Sequence, residues 1–377
     1  MATIKDVSRL ANVSISTVSR VINKSSKVSP DKVEAVMKAM AELNFQPNSF
    51  AQALVNKKSN CIGVLVGDLC GGPFFAQMMR GIENVILPAN KFVIVMSGKH
   101  EHDREKNSID ALLLRRCDAL VVHSKALSDE ELIEISRSDV PIVFVNRLIP
   151  TLEDRCVWVD ISAGMETAVN HLLKQGHKRI AYIASDEVNN QDAKDRMDGY
   201  RRALDNAGIE FDKDLVSLAF PDEIGGHNAI ESLLMRDVGF TAFVAYNDAM
   251  AVGAVSALTE NNINVPNEVS AIGFDNNLIT NFIKPKLTTV RYPIEEVGET
   301  AAKLALNVLY AREREEYEER KEKETNRNYE RKFDLHDVVE FTLDDLKFIP
   351  DHIERDSVTA YNEEAAVATS RNRKSKK

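Results

Sequence analysis

Eight short apolar runs, at residues 62–66, 92–96, 119–122, 142–145, 180–183, 242–245, 269–272 and 287–290, recur along the chain with helix-period segments between them. Runs this apolar belong to strands buried on both faces, and the intervening helices supply the cover. The pattern therefore predicts parallel sheets in an α/β architecture. That many strands exceed one ordinary sheet. Two doubly wound lobes are expected, with a ligand at the carboxyl ends of the strands in the cleft between them.

The start of the chain obeys a different period. Thr3-Ile4-Lys5-Asp6-Val7 and Val13-Ser14-Ile15-Ser16-Thr17-Val18-Ser19-Arg20-Val21-Ile22-Asn23 spell two short amphipathic helices joined by a tight turn, a helix-turn-helix. Thr3 can cap the first helix, Asp6 suits its dipole, and Ile4, Val7 and Leu10 share one face. Asn12 sits where the turn needs a left-handed residue, which Asn tolerates better than any residue except Gly. Ser14 caps the second helix. There Val18, Val21 and Ile22 face inward, while Ser16, Arg20 and Asn23, at i, i+4 and i+7, face out. An Arg among small polar groups fits a major groove; a plain three-helix bundle with a solvated Arg is the bland alternative. Ser29-Pro30-Asp31 opens a third helix with a cap, a first-position proline and a first-turn acid, and Val33, Val36, Met37, Met40 and Leu43 form its apolar stripe. Residues 1–60 hold nine Lys and Arg against four Asp and Glu, a net of +5 inside a chain whose total is −10. A basic headpiece on an acidic body is the asymmetry expected when one end meets phosphates and the other must not.

On these residues, and on Phe45-Gln46-Pro47-Asn48-Ser49-Phe50-Ala51-Gln52-Ala53-Leu54, the chain resembles the lactose-repressor family of bacterial transcription regulators. The last stretch is similar to the family's hinge helix. Independently of that, Asn48 can cap a helix of roughly eight residues, well short of the ~12 to 15 needed for stability alone. Such a helix is conditional and can act as a switch. The resemblance implies DNA contacts from Thr3, Ser14, Ile15, Ser16, Thr17, Ser19, Arg20 and Asn23 in the headpiece, and from Asn48 and Leu54 in the hinge. Leu54 matches a leucine that wedges into the minor groove; a core leucine in a short connector is its other reading. The expected layout is a headpiece at 1–46, a hinge at 47–59, a two-lobed, periplasmic-binding-protein-like body for effector binding and dimerisation at 60–358, and a basic tail at 359–377. In that fold the chain crosses between lobes three times, here expected near residues 160 and 290 and after residue 310.

The polar residues that follow the apolar runs are the candidate chemistry. Asp68 follows the first run, His123 the third, and Asn146 and Arg147 the fourth; Arg196 begins a turn into a helix; Asn247 and Asp248 follow Tyr246, and Asp275 follows Phe274. Paired acceptors and donors, an Arg fork and aromatic platforms suit a hydroxyl-rich sugar. The resemblance implies that Asn146, Arg196, Asn247 and Asp275 hold the effector, with Phe74 or Phe75, His123 and Ile294 lining the pocket. Asp160 and Asp248 serve equally well as helix caps, and Arg147 as a bridge between lobes. Within the family, Cys117-Asp118-Ala119-Leu120-Val121-Val122-His123-Ser124-Lys125, Asn146-Arg147-Leu148-Ile149-Pro150 and Arg291-Tyr292-Pro293-Ile294 are similar to its galactose-responsive members. Three departures stand out. Asn12 replaces a turn glycine, the loop at residues 69–73 is one residue longer, and residues 311–332 hold eight Lys and Arg and eight Glu with almost nothing apolar. A run of that kind reads as a solvated helix laced with i, i+4 pairs, or as disorder.

Other classes are excluded by absence of their motifs. There is no Walker loop, no G-x-G-x-x-G, no H-E-x-x-H and no G-x-S-x-G, so no enzyme and no cofactor is expected. The four cysteines have no metal spacing and read as reduced, mostly buried thiols. No run of about 18 apolar residues and no apolar signal region is present, so a cytoplasmic protein without membrane contact is expected. The expected partners are a palindromic double-stranded DNA operator, a second copy of the chain, and a sugar inducer such as D-galactose or a relative. The competing reading keeps the fold but makes the ligand a purine-like corepressor that tightens DNA binding.

Overall fold

The computed structural model describes residues 2–22, 28–46, 59–69, 73–187, 190–323 and 339–362, with side chains omitted at 320–323. The headpiece is three helices, α1 (Ile4–Leu10), α2 (Ile15–Ile22) and α3 (Pro30–Glu42). Thr3 and Asp6 cap α1 reciprocally, the Thr3 hydroxyl accepting from the Asp6 N–H and the Asp6 carboxylate accepting from the Thr3 N–H. Asn12 is left-handed, with φ +52°. The Ser14 hydroxyl accepts the Thr17 N–H at 3.1 Å and starts α2. Val7, Val18, Val21, Val36 and Ala39 form the core. Two assignments change: Leu10 is 46% exposed and Met37 57% exposed. In a bundle this small only one or two positions per helix fit inside, and Ala39 occupies one of them. Ser29 precedes α3 but caps it with its backbone carbonyl alone, which accepts from Lys32 and Val33.

Among the described residues the body holds two six-stranded sheets. The N-terminal lobe runs β1 (Cys61–Val66), α4 (Pro73–Ile86), β2 (Phe92–Ser97), α5 (His102–Leu114), β3 (Ala119–Val122), α6 (Asp129–Ser136), β4 (Ile142–Val145) and β5 (Cys156–Val159). The C-terminal lobe runs α7 (Ile161–Lys174), β6 (Ile180–Ser185), α8 (Gln191–Asn206), β7 (Val216–Ala219), α9 (Glu223–Met235), β8 (Ala242–Ala245), α10 (Asp248–Glu260), β9 (Ser270–Asp275) and β10 (Thr288–Arg291). Helix α11 (Ile294–Lys323) then packs back on α4, where Gly81 and Gly298 let the two backbones meet: a Cβ on Gly81 would lie 2.0 Å from the Glu295 carbonyl oxygen. Strand β11 (Lys347–Phe348) joins β5 in the first sheet, and β12 (Asp351–Ile353) joins β10 antiparallel in the second. The chain thus crosses between lobes after β5, after β10, and at residues 349–350. The third crossing, expected after residue 310, comes only after α11 has run on to Lys323.

All eight apolar runs are strands. Strand orders β11-β5-β4-β3-β1-β2 and β12-β10-β9-β8-β6-β7 reverse beside β1 and beside β6, and a crevice opens at such a reversal. The strands missing from the sequence reading are β5, β7, β11 and β12. Strand β7 is an edge strand, only partly buried, and β11 and β12 are two and three residues long. Among the described residues no helix is long and apolar enough to cross a membrane. Cys61, Cys117 and Cys156 are free thiols, the last two buried.

Candidate effector cleft and DNA-reading face

The ends of β3 and β4 and the start of α4 form one wall of the cleft. His123, directly after β3, is 1% exposed, and its Nδ1 has no partner. Burial, with Lys125 and His100 nearby, pushes its pKa down to about 3, so the ring is neutral. The Phe75 ring meets it edge-on at 5.0 Å, and Phe74 lies 5.2 Å from Phe75 and 5.3 Å from Tyr292. Asn146 follows β4 in a left-handed conformation, φ +58°. Both ends of its amide are sealed from solvent without a partner.

The opposing wall is built on α8 and on the ends of β8 and β9. Arg196 is buried between the Tyr246 and Phe274 rings, its guanidinium carbon 4.3 and 4.0 Å from their centroids. It donates to the Tyr246 carbonyl and lies 3.5 Å from the Asp275 carboxylate, while its Nε has no partner. Burial outweighs that cation and raises the Asp275 pKa to about 6. Asp275 also holds φ +111°, rare for a residue with a side chain. The Tyr292 hydroxyl, between the walls, is buried and unpartnered.

Other candidates take structural places. Asn247 caps α10: its Oδ1 accepts from the Met250 N–H at 2.8 Å and its Nδ2 donates to the Pro221 carbonyl at 2.9 Å. Asp248 is therefore not the cap. It is fully buried and braces the loop after β9, accepting from the Asn277 N–H and the Thr289 hydroxyl, each at 2.6 Å. Asp160 caps α7. Arg147 does not bridge the lobes, since it binds Asp129 and the Leu127 carbonyl in its own lobe. Ile294 is core, at the start of α11. The sequence reading passed over Lys125, Asp192, Tyr246 and Tyr292. Asp192 had a signal: it sits four residues before Arg196 on the same helix face.

On the headpiece, Thr3, Ser14, Ile15, Ser16 and Arg20 are exposed, and Thr17 and Ser19 half-buried, opposite buried Val18 and Val21. The Ser14 hydroxyl also bonds those of Ser16 and Thr17, at 2.8 and 2.9 Å. Asn23, Asn48 and Leu54 lie outside the described residues. Where the chain enters the body, one carboxylate gathers it in. Asp118 accepts from the Ser59 N–H at 2.7 Å, the Ser59 hydroxyl at 3.0 Å and the Asn60 N–H at 3.0 Å. It also pairs at 2.9 Å with Lys91, the two side chains 4% and 6% exposed.

A helix-turn-helix ahead of a two-lobed body, with a cleft lined by unpartnered polar atoms, defines a ligand-responsive DNA-binding regulator. Residues 3–48 match the family described as bacterial regulatory proteins, lacI family, and residues 59–332 match periplasmic binding proteins and sugar binding domain of LacI family. The chain belongs to the LacI family of transcription regulators and is not an enzyme. It is 44% identical over 306 residues to the HTH-type transcriptional regulator GalR of Escherichia coli (strain K12), covering 81% of this chain and 89% of that protein. It is 42% identical to GalS of Salmonella typhimurium over the same shares. The structure of the lac repressor dimer bound to operator and the anti-inducer ONPF superposes with a TM-score of 0.78 at 25% identity, covering 95% of this chain and 99% of that one.

Proposed function

We propose that this protein is a homodimeric, cytoplasmic repressor of sugar-catabolism genes, released from a palindromic operator when a galactose-type sugar enters the cleft. The observation that carries this reading is the set of buried polar atoms without protein partners: His123 Nδ1, both ends of Asn146, Arg196 Nε and the Tyr292 hydroxyl. Each such orphan costs about 1–3 kcal/mol, so the set is matched to a ligand that brings donors and acceptors of its own. Phe74, Phe75 and Tyr292 supply apolar faces for a pyranose, and Arg196 and Asp275 supply a charged donor and acceptor for its hydroxyls. Likeness to GalR and GalS supports galactose as the sugar. In this reading Asn146, Arg196 and Asp275 hold the sugar, while Asn247 shapes the wall through its cap. Arg20 and Ser16 read the major groove, and Leu54, held by a hinge that forms on DNA, enters the minor groove.

Calorimetry against D-galactose, other hexoses and purines, with operator binding followed in parallel, tests it. Expected is saturable binding of D-galactose that weakens the operator complex. Binding of a purine that tightens the operator complex would replace this reading with the corepressor one.

A further inference from the structure

The two walls of the cleft are joined by an ion pair. Lys125, in the loop after β3, donates to Asp192, in the first turn of α8, at 2.6 Å, with the side chains 22% and 14% exposed. Burial opposes the charge on each, but each partner's opposite charge holds the Lys125 pKa above and the Asp192 pKa below its ordinary value, so both are ionised. Neither side chain is loosely mounted. The fully buried Glu105 carboxylate accepts from the Ser124 hydroxyl at 2.5 Å, the Lys125 N–H at 3.2 Å and the Ala126 N–H at 3.1 Å, which fixes the loop that presents Lys125. Asn190 caps α8 through the Asp192 N–H, and Asp192 lies one turn before Arg196. Lys125, Asp192, Arg196 and Asp275 therefore form a line of alternating charge across the cleft.

We propose that Lys125 and Asp192 are the latch of the cleft, a pair that holds the two lobes together and sets effector affinity by favouring the closed form. Opening the lobes separates the pair and returns both groups to water, so the pair biases the equilibrium between open and closed cleft before any ligand arrives. A ligand that binds the closed form then meets a larger fraction of competent protein, and its apparent affinity rises by that fraction. An ammonium has three donors and a carboxylate about four acceptor sites, so the pair has capacity left for hydroxyls of the same ligand. The affinity statement rests on the cleft being the effector site; the closure statement does not.

The test uses the full chain with Lys125→Met, Asp192→Asn, both together, and the swap Lys125→Asp/Asp192→Lys. Distances between labels on the outer faces of α6 and α9 report closure without ligand, and calorimetry with D-galactose reports affinity. Expected are longer distances and 10- to 100-fold weaker binding in each single variant. The double variant should lose no more than the worse single one, and the swap should recover the closed distance. Lys125→Arg, which keeps charge and fold, should stay closed. Single variants with wild-type distances, losses that multiply in the double variant, or a swap that stays open would each overturn the latch. If the wild-type chain binds no sugar while the single variants still open, the effector reading fails and the latch stands.

Discussion

Removing Asp118 should separate two things that the fold combines, the stability of the N-terminal lobe and its grip on the hinge. In Asp118→Ala the Lys91 ammonium is left buried without its partner, and breaking a buried pair from one side costs about 3–5 kcal/mol. The Ser59 and Asn60 groups lose their acceptor as well, but they sit nearer solvent, where water replaces most of a hydrogen bond's net value of about 0.5–1.5 kcal/mol. Urea unfolding of the full chain should therefore show a loss of about 3–5 kcal/mol. Lys91→Met together with Asp118→Leu should return most of it, because apolar replacement of a buried pair is commonly neutral or stabilising. Operator affinity should not return, since residues 59 and 60 remain unclamped and the hinge has lost its fixed end. Fluorescence anisotropy with labelled operator measures that second quantity. A single variant as stable as wild type, or a double variant that recovers operator binding along with stability, would refute the reasoning.

Arg20→Ala should cost about 1–3 kcal/mol against the operator and little against random DNA, as a bidentate base contact requires; an equal loss on both, read in competition assays, would make Arg20 a phosphate contact. Sugar affinity should fall as pH drops below about 6, where Asp275 takes up its proton and ceases to be an anionic acceptor, by at most tenfold per pH unit, and calorimetry of Asp275→Asn should show weak binding with that pH dependence gone. Operator and sugar must weaken each other by one common factor, typically 5- to 150-fold. Deleting residues 311–332 should leave that factor intact, since Arg312 ties this segment to the Asp139 carbonyl, away from the cleft.

Most strands buried on both faces were legible as continuous apolar runs, although β5, equally apolar over Cys156–Val159, was passed over; at the edges β7 is only partly buried and carries Ser217, and β11 and β12 are two and three residues long. Asn12 and Ser14 announced their roles because a left-handed turn and a helix cap are local demands. Inside and outside were harder to assign. Leu10 and Met37 have the right period for the headpiece core, yet a three-helix bundle has no room for them. Of the cleft, the sequence disclosed residues at or just past strand ends, such as His123, Asn146 and Asp275. Lys125 and Asp192 are 67 positions apart and no periodicity links them; only the juxtaposition of the lobes makes them a pair. Asn247 and Asp248 are adjacent residues of similar chemistry. Which of them caps α10 and which braces the Asn277 loop depends on the direction in which the helix leaves its strand.

Strand β3 carries Asp118 at one end and His123 at the other, five residue steps apart, about 17 Å at ~3.3 Å per residue. It lies between β1 and β4 and is hydrogen-bonded along both sides, so it can neither stretch nor slide without tearing two ladders. Tension applied where the chain enters the body reaches the ligand wall undiminished, and a push from the ligand wall travels back the same way. A rod of this stiffness conveys tilt rather than deformation. On the function proposed above, the signal is expected to be a change in the angle at which two otherwise unaltered lobes are held, and softening β3 should mute it even with both ends chemically intact.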